Sequence, residues 1–169
     1  QEVDYQAMAA EWVNADVINI HAGGVYGDKP GSLKRLAAVI EALPANIRSR
    51  LTLENDDRSY SPSDLLPLCR RTGVPLVYDV HHHRCLPDGL DEAEATEAAL
   101  ATWTREPLFH ISSPLDPSGD KVDRRHHDFI RMNDLPAQWR GLKITVDVEA
   151  KAKELAVLQL RRELAALTA

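Results

Sequence analysis

Short apolar runs alternate with segments of helical periodicity along the chain, and a polar side chain follows each apolar run directly. The clearest run covers residues 74–80, and Asp79 and the triplet His81, His82 and His83 stand at its end. Runs of this length that are rich in Val, Ile and Leu are typical of buried strands. The pattern predicts five strands, at residues 17–20, 51–53, 74–79, 108–109 and 142–148.

Apolar residues three or four positions apart predict helices before the first strand and between most of the others. Four helices are expected over residues 5–15, 33–43, 91–104 and 155–167, and a fifth carries the leucines at 65, 66 and 68. Ser32 is the predicted N-cap of the second helix, Ser61 or Ser63 that of the third, and Gly73 ends the third. The first helix has no start signal of its own, so it resembles the tail of a unit that begins earlier.

This alternation of strands and helices predicts a single α/β domain over residues 1–169. Consecutive βα units with right-handed crossovers build a parallel sheet. The carboxyl ends of parallel strands meet at one edge, where barrel and open-sheet α/β proteins carry their functional sites. A site in this chain is therefore expected at that edge.

Composition places the chain among ordinary globular proteins. Of its 169 residues 44% are hydrophobic and 27% charged, and the net charge is −6. No apolar run could span a membrane and no signal-peptide pattern opens the chain, which predicts a cytoplasmic protein without membrane contact. Cys69 and Cys85 form no CxxC pair, so neither a disulfide nor a thiolate zinc site is expected. The negative charge argues mildly against a nucleic-acid partner, although bound divalent ions reverse the local sign.

Carboxylates and imidazoles follow all five predicted strands. Such ligands suit Zn²⁺, Mn²⁺ or a similar ion, and carboxylates can bridge two ions in hydrolytic sites. His82 lies far enough beyond its strand to serve a neighbouring ion, and His126 with Asp128 could complete a second site. Only one of His81, His82 and His83 is expected to bind, because adjacent side chains diverge from an extended backbone. The residues at the strand ends are His21, Glu54, Asp79, His110 and Glu149.

Each of these residues alone is also compatible with a plain hydrogen bond to a loop, and the coincidence of five strand ends is what favours a metal site. Asp56 and Asp57, which follow Glu54, are interpreted as a solvated acidic loop. Gly23-Gly24 with Lys29 lacks the pattern of a phosphate-binding loop. Loop cations could contact substrate phosphates or simply be solvated, and they are Lys29, Arg58, Lys121, Arg124 and Arg125.

Six motifs surround the strand-end residues and span nearly the whole chain. They are Asn19-Ile-His21-Ala-Gly-Gly24, Leu53-Glu-Asn-Asp-Asp57, Tyr78-Asp-Val-His-His-His83, His110-Ile-Ser-Ser113, Arg125-His-His-Asp128 and Val148-Glu-Ala-Lys-Ala-Lys-Glu154. In sequence and in order they resemble motifs of the UV damage endonuclease family, whose members are DNA-repair enzymes with a metal-dependent TIM barrel similar to that of xylose isomerase. The resemblance implies an α/β fold of the TIM-barrel type, two or three divalent ions, Mn²⁺ or similar, and incision of damaged double-stranded DNA on the 5′ side of a UV photoproduct.

The resemblance also implies roles for individual residues. The implied metal ligands are His21, Glu54, Asp79, His82, His110, His126 and Glu149, with Asp128 as a further one. Glu54, Asp79 and Glu149 are the candidate catalytic carboxylates, and Glu54 is the candidate for bridging two ions. Lys151 and Lys153 match the motif after the last strand, where they join Lys29 and Arg58 as candidate DNA contacts; a solvated first helical turn is the alternative for Lys151 and Lys153.

Two features depart from the family pattern. Five predicted strands against the eight of the family barrel indicate about five of eight βα units, the C-terminal part of the barrel. Some members carry a modified lysine two positions before the histidine that matches His110, where this chain has Leu108. Two alternatives follow: a metal-dependent sugar isomerase on the same barrel, and a non-catalytic fragment that self-associates or needs a missing partner, because an incomplete barrel has open edges.

Overall fold

Helices and strands alternate through residues 2–167, the part of the chain that the computed structural model describes. Each strand has four residues, and two 3₁₀ turns (Met132–Asp134 and Ala137–Trp139) lie in the connection before the last strand. In chain order the elements are α1 (Glu2–Val13), β1 (Ile18–His21), α2 (Lys29–Ala42), α3 (Ala45–Arg48), β2 (Leu51–Glu54), α4 (Pro62–Thr72), β3 (Leu76–Asp79), α5 (Val80–Cys85), α6 (Glu92–Leu100), β4 (Leu108–Ile111), β5 (Thr145–Val148) and α7 (Glu154–Ala166).

The five strands form one parallel sheet in sequence order, curled into half of a barrel. The register pairs His21 with Glu54 across β1 and β2, and Asp79 with His110 across β3 and β4. The predicted parallel sheet is therefore confirmed, and so is the convergence of the strand ends at one edge. Within the described residues β1 and β5 are the outer strands of this sheet.

The core lies where the central strands meet the helices. Every residue of β2 and β3 is buried, and the side chains of Leu53, Leu76 and Phe109 are fully inaccessible. The ring of Tyr78 packs edge-on against Phe109 and Trp139. Apolar burial of this kind is the main favourable term in folding, and here it fixes the strands whose ends carry the polar residues.

The three consecutive histidines differ from the sequence expectation. They lie in the short helix α5 and not in an extended loop, because the Asp79 side chain accepts a hydrogen bond from the backbone N–H of His82 and caps the helix directly after β3. Successive residues of a helix point about 100° apart, so the three rings still point in different directions.

Several element ends also differ. Asp28 and not Ser32 caps α2, by accepting a hydrogen bond from the N–H of Gly31, while Ser32 is buried. Helix α6 ends at Leu100, β3 and β5 begin later than predicted, and α3 has no counterpart in the prediction. Of the two predicted caps of α4, Ser61 and Ser63, the structure selects Ser61, which belongs to a capping box with Asp64. The predicted end at Gly73 is confirmed, since Gly73 has a left-handed φ of 72°.

Two further expectations concern cysteines and membranes. Cys69 and Cys85 are both free thiols, as predicted. Among residues 2–167 no helix has the length and apolar character needed to cross a bilayer.

Candidate metal centre

Glu54, the last residue of β2, lies at the middle of the polar cluster. It is 3% exposed, and three imidazoles from three other elements approach its carboxylate. The distances are 3.4 Å to His21 Nε2, 3.3 Å to His82 Nδ1 and 3.3 Å to His110 Nδ1. Because Glu54 has a histidine on each side, its two oxygens are placed to serve two neighbouring positions.

Glu149 extends the cluster beyond β5. Its carboxylate lies 3.2 Å from His110 Nδ1 and 3.7 Å from His126 Nδ1. The fully buried Asp79 adds a third carboxylate, 3.5 Å from His82 Nδ1. The potential ligand atoms form three overlapping groups, and within each group these atoms lie within 4.8 Å of one another. The groups are His21, Glu54 and His82; His82, His126 and Glu149; and Glu54, Asp79, His110 and Glu149.

Several buried polar atoms of this cluster lack a hydrogen-bond partner. They are Oε1 of Glu54, Oδ2 of Asp79 and both ring nitrogens of His110. An unsatisfied buried polar atom costs about 1–3 kcal/mol, so folded proteins leave few of them. Coordination of a divalent cation would satisfy Oε1 of Glu54, Oδ2 of Asp79 and one ring nitrogen of His110, and oxygen with imidazole nitrogen is a donor set that such ions accept. The residues therefore fit a divalent metal.

The electrostatics of the histidines and carboxylates are mutually dependent. Burial opposes protonation of His82, but Glu54 and Asp79 raise its pKa to about 9. Burial likewise opposes protonation of His110, and Glu149 and Glu54 raise its pKa to about 10. Imidazolium protons therefore neutralise the carboxylates of the metal-free protein, and a bound cation would replace those protons.

The carboxylates respond to the same contacts. Burial works against ionisation of Glu54, yet His110, His21 and His82 outweigh it and hold the pKa of Glu54 below its usual range. His110 also lowers the pKa of Glu149. A group that ionises readily in a buried position is suited to binding a cation.

Two asparagines that the sequence analysis missed orient the cluster. Asn19 donates from Nδ2 to Oε2 of Glu54 at 2.5 Å, and its own oxygen accepts from Thr52 Oγ1 at 3.0 Å. The side-chain amide of the fully buried Asn55 forms hydrogen bonds with both the N–H and the C=O of Asp79. The backbone carbonyl oxygen of Asn55 lies 3.0 Å from Nδ1 of His82. The signal that could have found them is their position, two residues before His21 and directly after Glu54.

The neighbours of His82 in α5 have other partners. His83 accepts from the Tyr78 hydroxyl at Nδ1 (2.8 Å) and donates from Nε2 to Asp88 (3.0 Å). His81 is fully buried, with its ring edge-on to that of His126 and its Nε2 3.8 Å from Cys85 Sγ. Of the three adjacent histidines only His82 belongs to a group of potential ligands, and the expectation that one of the three binds a metal stays a prediction.

Two acidic residues lie elsewhere than the sequence suggested. Asp128 is exposed and belongs to none of the three ligand groups found among residues 2–167, although its backbone oxygen accepts from the N–H of Ala152. Asp56 is buried and not solvated, because its carboxylate accepts backbone hydrogen bonds from the next turn. Asp56 therefore shapes the loop after β2.

The four candidate DNA contacts differ in the exposure and the ion pairing of their side chains. Lys29 is engaged by Asp64, with its Nζ 2.7 Å from the carboxylate, and lies over the ring of Tyr60. The side chain of Arg58 is 72% exposed, and Lys151 and Lys153 are exposed at the start of the last helix. Of the four, Arg58, Lys151 and Lys153 have the accessible side chains that a phosphate contact requires.

The remaining loop cations lie beside α5. Lys121, Arg124 and Arg125 line a surface cavity of about 780 Å³ together with residues at the end of that helix. Arg124 approaches Asp57 at 3.2 Å, and Arg125 forms an ion pair with Asp123 at 2.8 Å. Two of these three cations are therefore already paired within the chain.

Comparison with known proteins gives a consistent result. The sequence model of a family described as UV-endonuclease UvdE matches residues 5–169. The UV DNA damage endonuclease of Bacillus velezensis is 38% identical over 164 residues, which cover 91% of this chain and 50% of that protein. The protein of the same name from Bacillus pumilus is 38% identical over 176 residues, which cover 96% of this chain and 53% of that protein. The chain thus spans about half the length of the curated relatives it matches.

A solved structure shows the same fold. The crystal structure of SacUVDE is similar with a TM-score of 0.85 and 28% sequence identity, over 99% of this chain and 57% of that one. This match, with the five parallel strands, confirms an α/β fold of the TIM-barrel type. Since the family model covers nearly the whole sequence, the chain belongs to the UV-endonuclease UvdE family.

Proposed function

We propose that this chain carries the metal centre of a DNA endonuclease that incises double-stranded DNA on the 5′ side of UV photoproducts. The observation that carries the proposal is the cluster of buried carboxylates and imidazoles at the sheet edge, with atoms on Glu54, Asp79 and His110 that lack a hydrogen-bond partner. The names of the relatives, UV DNA damage endonuclease, support the reaction and the substrate.

Divalent ions would be held in two or three positions, because the three ligand groups share members. Glu54 belongs to two groups, as do His82 and Glu149. When bound, such ions would activate water, polarise the scissile phosphate and stabilise the leaving oxygen. Mixed oxygen and imidazole ligands without thiolate are compatible with Mn²⁺, which is our proposal for the metal.

The residues of the chain would divide the work. Glu54 would bridge two positions, while Asp79 and Glu149 would supply the remaining carboxylate oxygens. His21, His82, His110 and His126 would complete the ligand sets, with Asp128 as a further ligand only if its loop moves toward the cluster. Asn19 would hold Glu54 in its bridging orientation through the hydrogen bond to Oε2.

Damaged double-stranded DNA is the proposed partner. Lys151 and Lys153 are exposed and could contact its phosphates directly. Arg58 is 72% exposed with its Nε 3.5 Å from Asp57, whereas the shorter ion pair of Lys29 with Asp64 would first have to break. Salt-dependent phosphate contacts would position the duplex and carry no information about the lesion. Self-association through β1 and β5, and a cytoplasmic location, stay predictions.

The test is nicking of a duplex with one UV photoproduct by this chain alone, with Mn²⁺ and with chelator. Metal-dependent cleavage next to the lesion is the expected result. Glu54→Gln should abolish cleavage while leaving the circular dichroism spectrum intact. Glu41→Gln is the matched control, because Glu41 forms an exposed ion pair with Arg71 on the helical surface. Retained activity of Glu54→Gln would contradict the role of Glu54.

Two other outcomes would decide between the alternatives. No cleavage, with bound metal found by elemental analysis, would mean that the site needs the remainder of a longer protein. Turnover of an aldose or ketose without nicking would favour the sugar isomerase.

A further inference from the structure

The loop between β1 and α2 carries the most exposed large apolar side chain of residues 2–167. This side chain is Tyr26, 86% exposed, five residues after His21. His21 itself is 49% exposed and lies on the open side of the metal cluster. An exposed aromatic ring therefore lies in the segment that leaves this edge of the sheet.

The backbone of this loop is held firmly in spite of the exposed ring. The hydroxyl of the buried Tyr60 donates to the carbonyl oxygen of Gly24 at 3.2 Å. The carbonyl oxygen of Val25 accepts from Ser32 Oγ at 3.0 Å and from the N–H of Asp28 at 2.8 Å. Three hydrogen bonds thus fix the two peptide groups before Tyr26, so the ring projects from a rigid support.

The backbone conformation of Tyr26 is also unfavourable, and the exposed ring gains no burial energy that would offset this cost. Tyr26 has a φ of 47°, a left-handed value that is uncommon for residues other than Gly, Asn and Asp. The ring lies so close over Gly24 that a Cβ atom at that position would be 3.1 Å from ring carbons. The sequence thus provides the space that this ring position requires. Strained backbone held by its surroundings is typical of functional sites.

We propose that Tyr26 stacks on a nucleobase that is unpaired or displaced from the duplex beside the metal centre. The inference rests on the proposed function and adds the group that recognises the distorted duplex. Aromatic side chains stack on any base, and a base whose pairing is weakened by damage is the least costly to expose. A rigid ring with two rotatable bonds loses little conformational entropy on contact.

The negative net charge of the protein makes base stacking more important for DNA affinity. With a net charge of −6 the chain gains little general attraction to phosphate, and what it gains falls with salt. Stacking is insensitive to salt. Tyr26 and a phosphate contact such as Arg58 should therefore be distinguishable by ionic strength.

The experiment measures the affinity of Tyr26→Ser and Tyr26→Phe for a fluorescein-labelled duplex with one photoproduct, by fluorescence anisotropy. All proteins carry Glu54→Gln so that the strand stays intact. Tyr5→Ser is the matched control, because Tyr5 is an exposed tyrosine on α1. The Tyr26→Ser change should weaken binding about 5- to 100-fold, by the same factor at low and high salt, while Tyr26→Phe retains affinity.

A second readout reports stacking itself. With 2-aminopurine opposite the photoproduct, binding of the Tyr26 protein should quench the fluorescence, and the Tyr26→Ser protein should not. Unchanged affinity and unchanged quenching in Tyr26→Ser would overturn the inference, as would a Tyr26→Ser effect that disappears at high salt.

Parallel nicking assays of the chain with Glu54 separate this inference from the proposed function. Metal-dependent nicking with no effect of Tyr26→Ser on lesion binding overturns the inference alone. Tyr26-dependent binding without nicking supports the inference and contradicts the endonuclease activity of this chain. Absence of both overturns both.

Discussion

Two polar networks meet at α5, one through His83 and one through His82, and they differ in whether their buried atoms all have hydrogen-bond partners. The Tyr78–His83–Asp88 network is called closed here, and the strand-end cluster around Glu54 is called open. In the Tyr78–His83–Asp88 relay every side-chain polar atom has a partner: the Tyr78 hydroxyl bonds His83, His83 bonds Asp88, and Asp88 also accepts from the backbone N–H groups of Ser63 and Leu90. In the strand-end cluster four buried atoms on Glu54, Asp79 and His110 have none. A closed network stabilises the fold, whereas an open one is complete only with a ligand.

The largest expected effect is on the open network. Glu54→Gln removes the carboxylate shared by two ligand groups, and Mn²⁺-dependent nicking should fall at least about 100-fold, because the bridging charge cannot be replaced by an amide. Single-turnover nicking assays with and without Mn²⁺ check this. A nicking rate within a few-fold of that of the unaltered chain would contradict the bridging role of Glu54.

Acidity should weaken metal binding at the open network. The pKa values of about 9 for His82 and about 10 for His110 mean that bound protons must leave before the ion enters. Apparent Mn²⁺ affinity should therefore fall about tenfold per pH unit for each displaced proton, between pH 8 and 6. Isothermal titration calorimetry in buffers of different ionisation enthalpy counts the released protons. Affinity independent of pH would contradict the exchange of protons for metal.

The same shifts have the opposite effect on the metal-free protein. A histidine whose folded pKa is raised above 6.5 contributes stability that is complete below pH 6.5 and is lost as the pH rises through the folded value. The metal-free chain should therefore become less stable between pH 6.5 and 10. Urea titrations at several pH values, with chelator, measure this loss.

An intermediate effect is expected at Asn19, which borders the open network. Asn19→Leu removes the hydrogen bond to Glu54 Oε2 and keeps the branched shape of the side chain, and Mn²⁺ affinity should fall about 10- to 100-fold. Asn46→Leu, at an exposed position of α3, is the control and should leave the affinity unchanged. Equal affinities for both variants would mean that Asn19 does not orient the bridging carboxylate.

The smallest effect on metal should come from the closed network. Asp88→Asn weakens the bonds from His83, Ser63 and Leu90, so the free energy of unfolding should fall by about 1–3 kcal/mol while Mn²⁺ affinity stays the same. Urea denaturation and calorimetry on one preparation give both values. A loss of metal affinity as large as that of Asn19→Leu would show that the two networks are coupled through α5.

The sheet could be predicted from the sequence because its signals are local. Each apolar run with its polar terminus is a complete pattern, and the repetition of βα units fixes the direction of the strands. These signals predict His21, Glu54, Asp79, His110 and Glu149 at one edge of a parallel sheet, and the structure has them there. The strands also explain why the ligand groups overlap, since neighbouring strand ends are about 4.8 Å apart.

The remaining differences arose where a side chain overrides a backbone preference. Asp79 belongs to a strand by pattern, but its carboxylate caps a helix that begins at the next residue. Asp56 belongs to an acidic loop by composition, but backbone hydrogen bonds bury it. The roles of Asn19 and Asn55 depend on contacts across 35 and 24 positions of sequence, which periodicity does not report.

The measurement that tests the central claim most directly is anomalous diffraction from crystals of this chain grown with Mn²⁺. Anomalous peaks within coordination distance of Glu54, Asp79, His110 and Glu149, and beside His82, are the predicted result, with none at Tyr78, His83 and Asp88. Saturating Mn²⁺ with no peak at the strand ends would contradict a metal centre there, and the unpaired atoms of the cluster would then need another explanation.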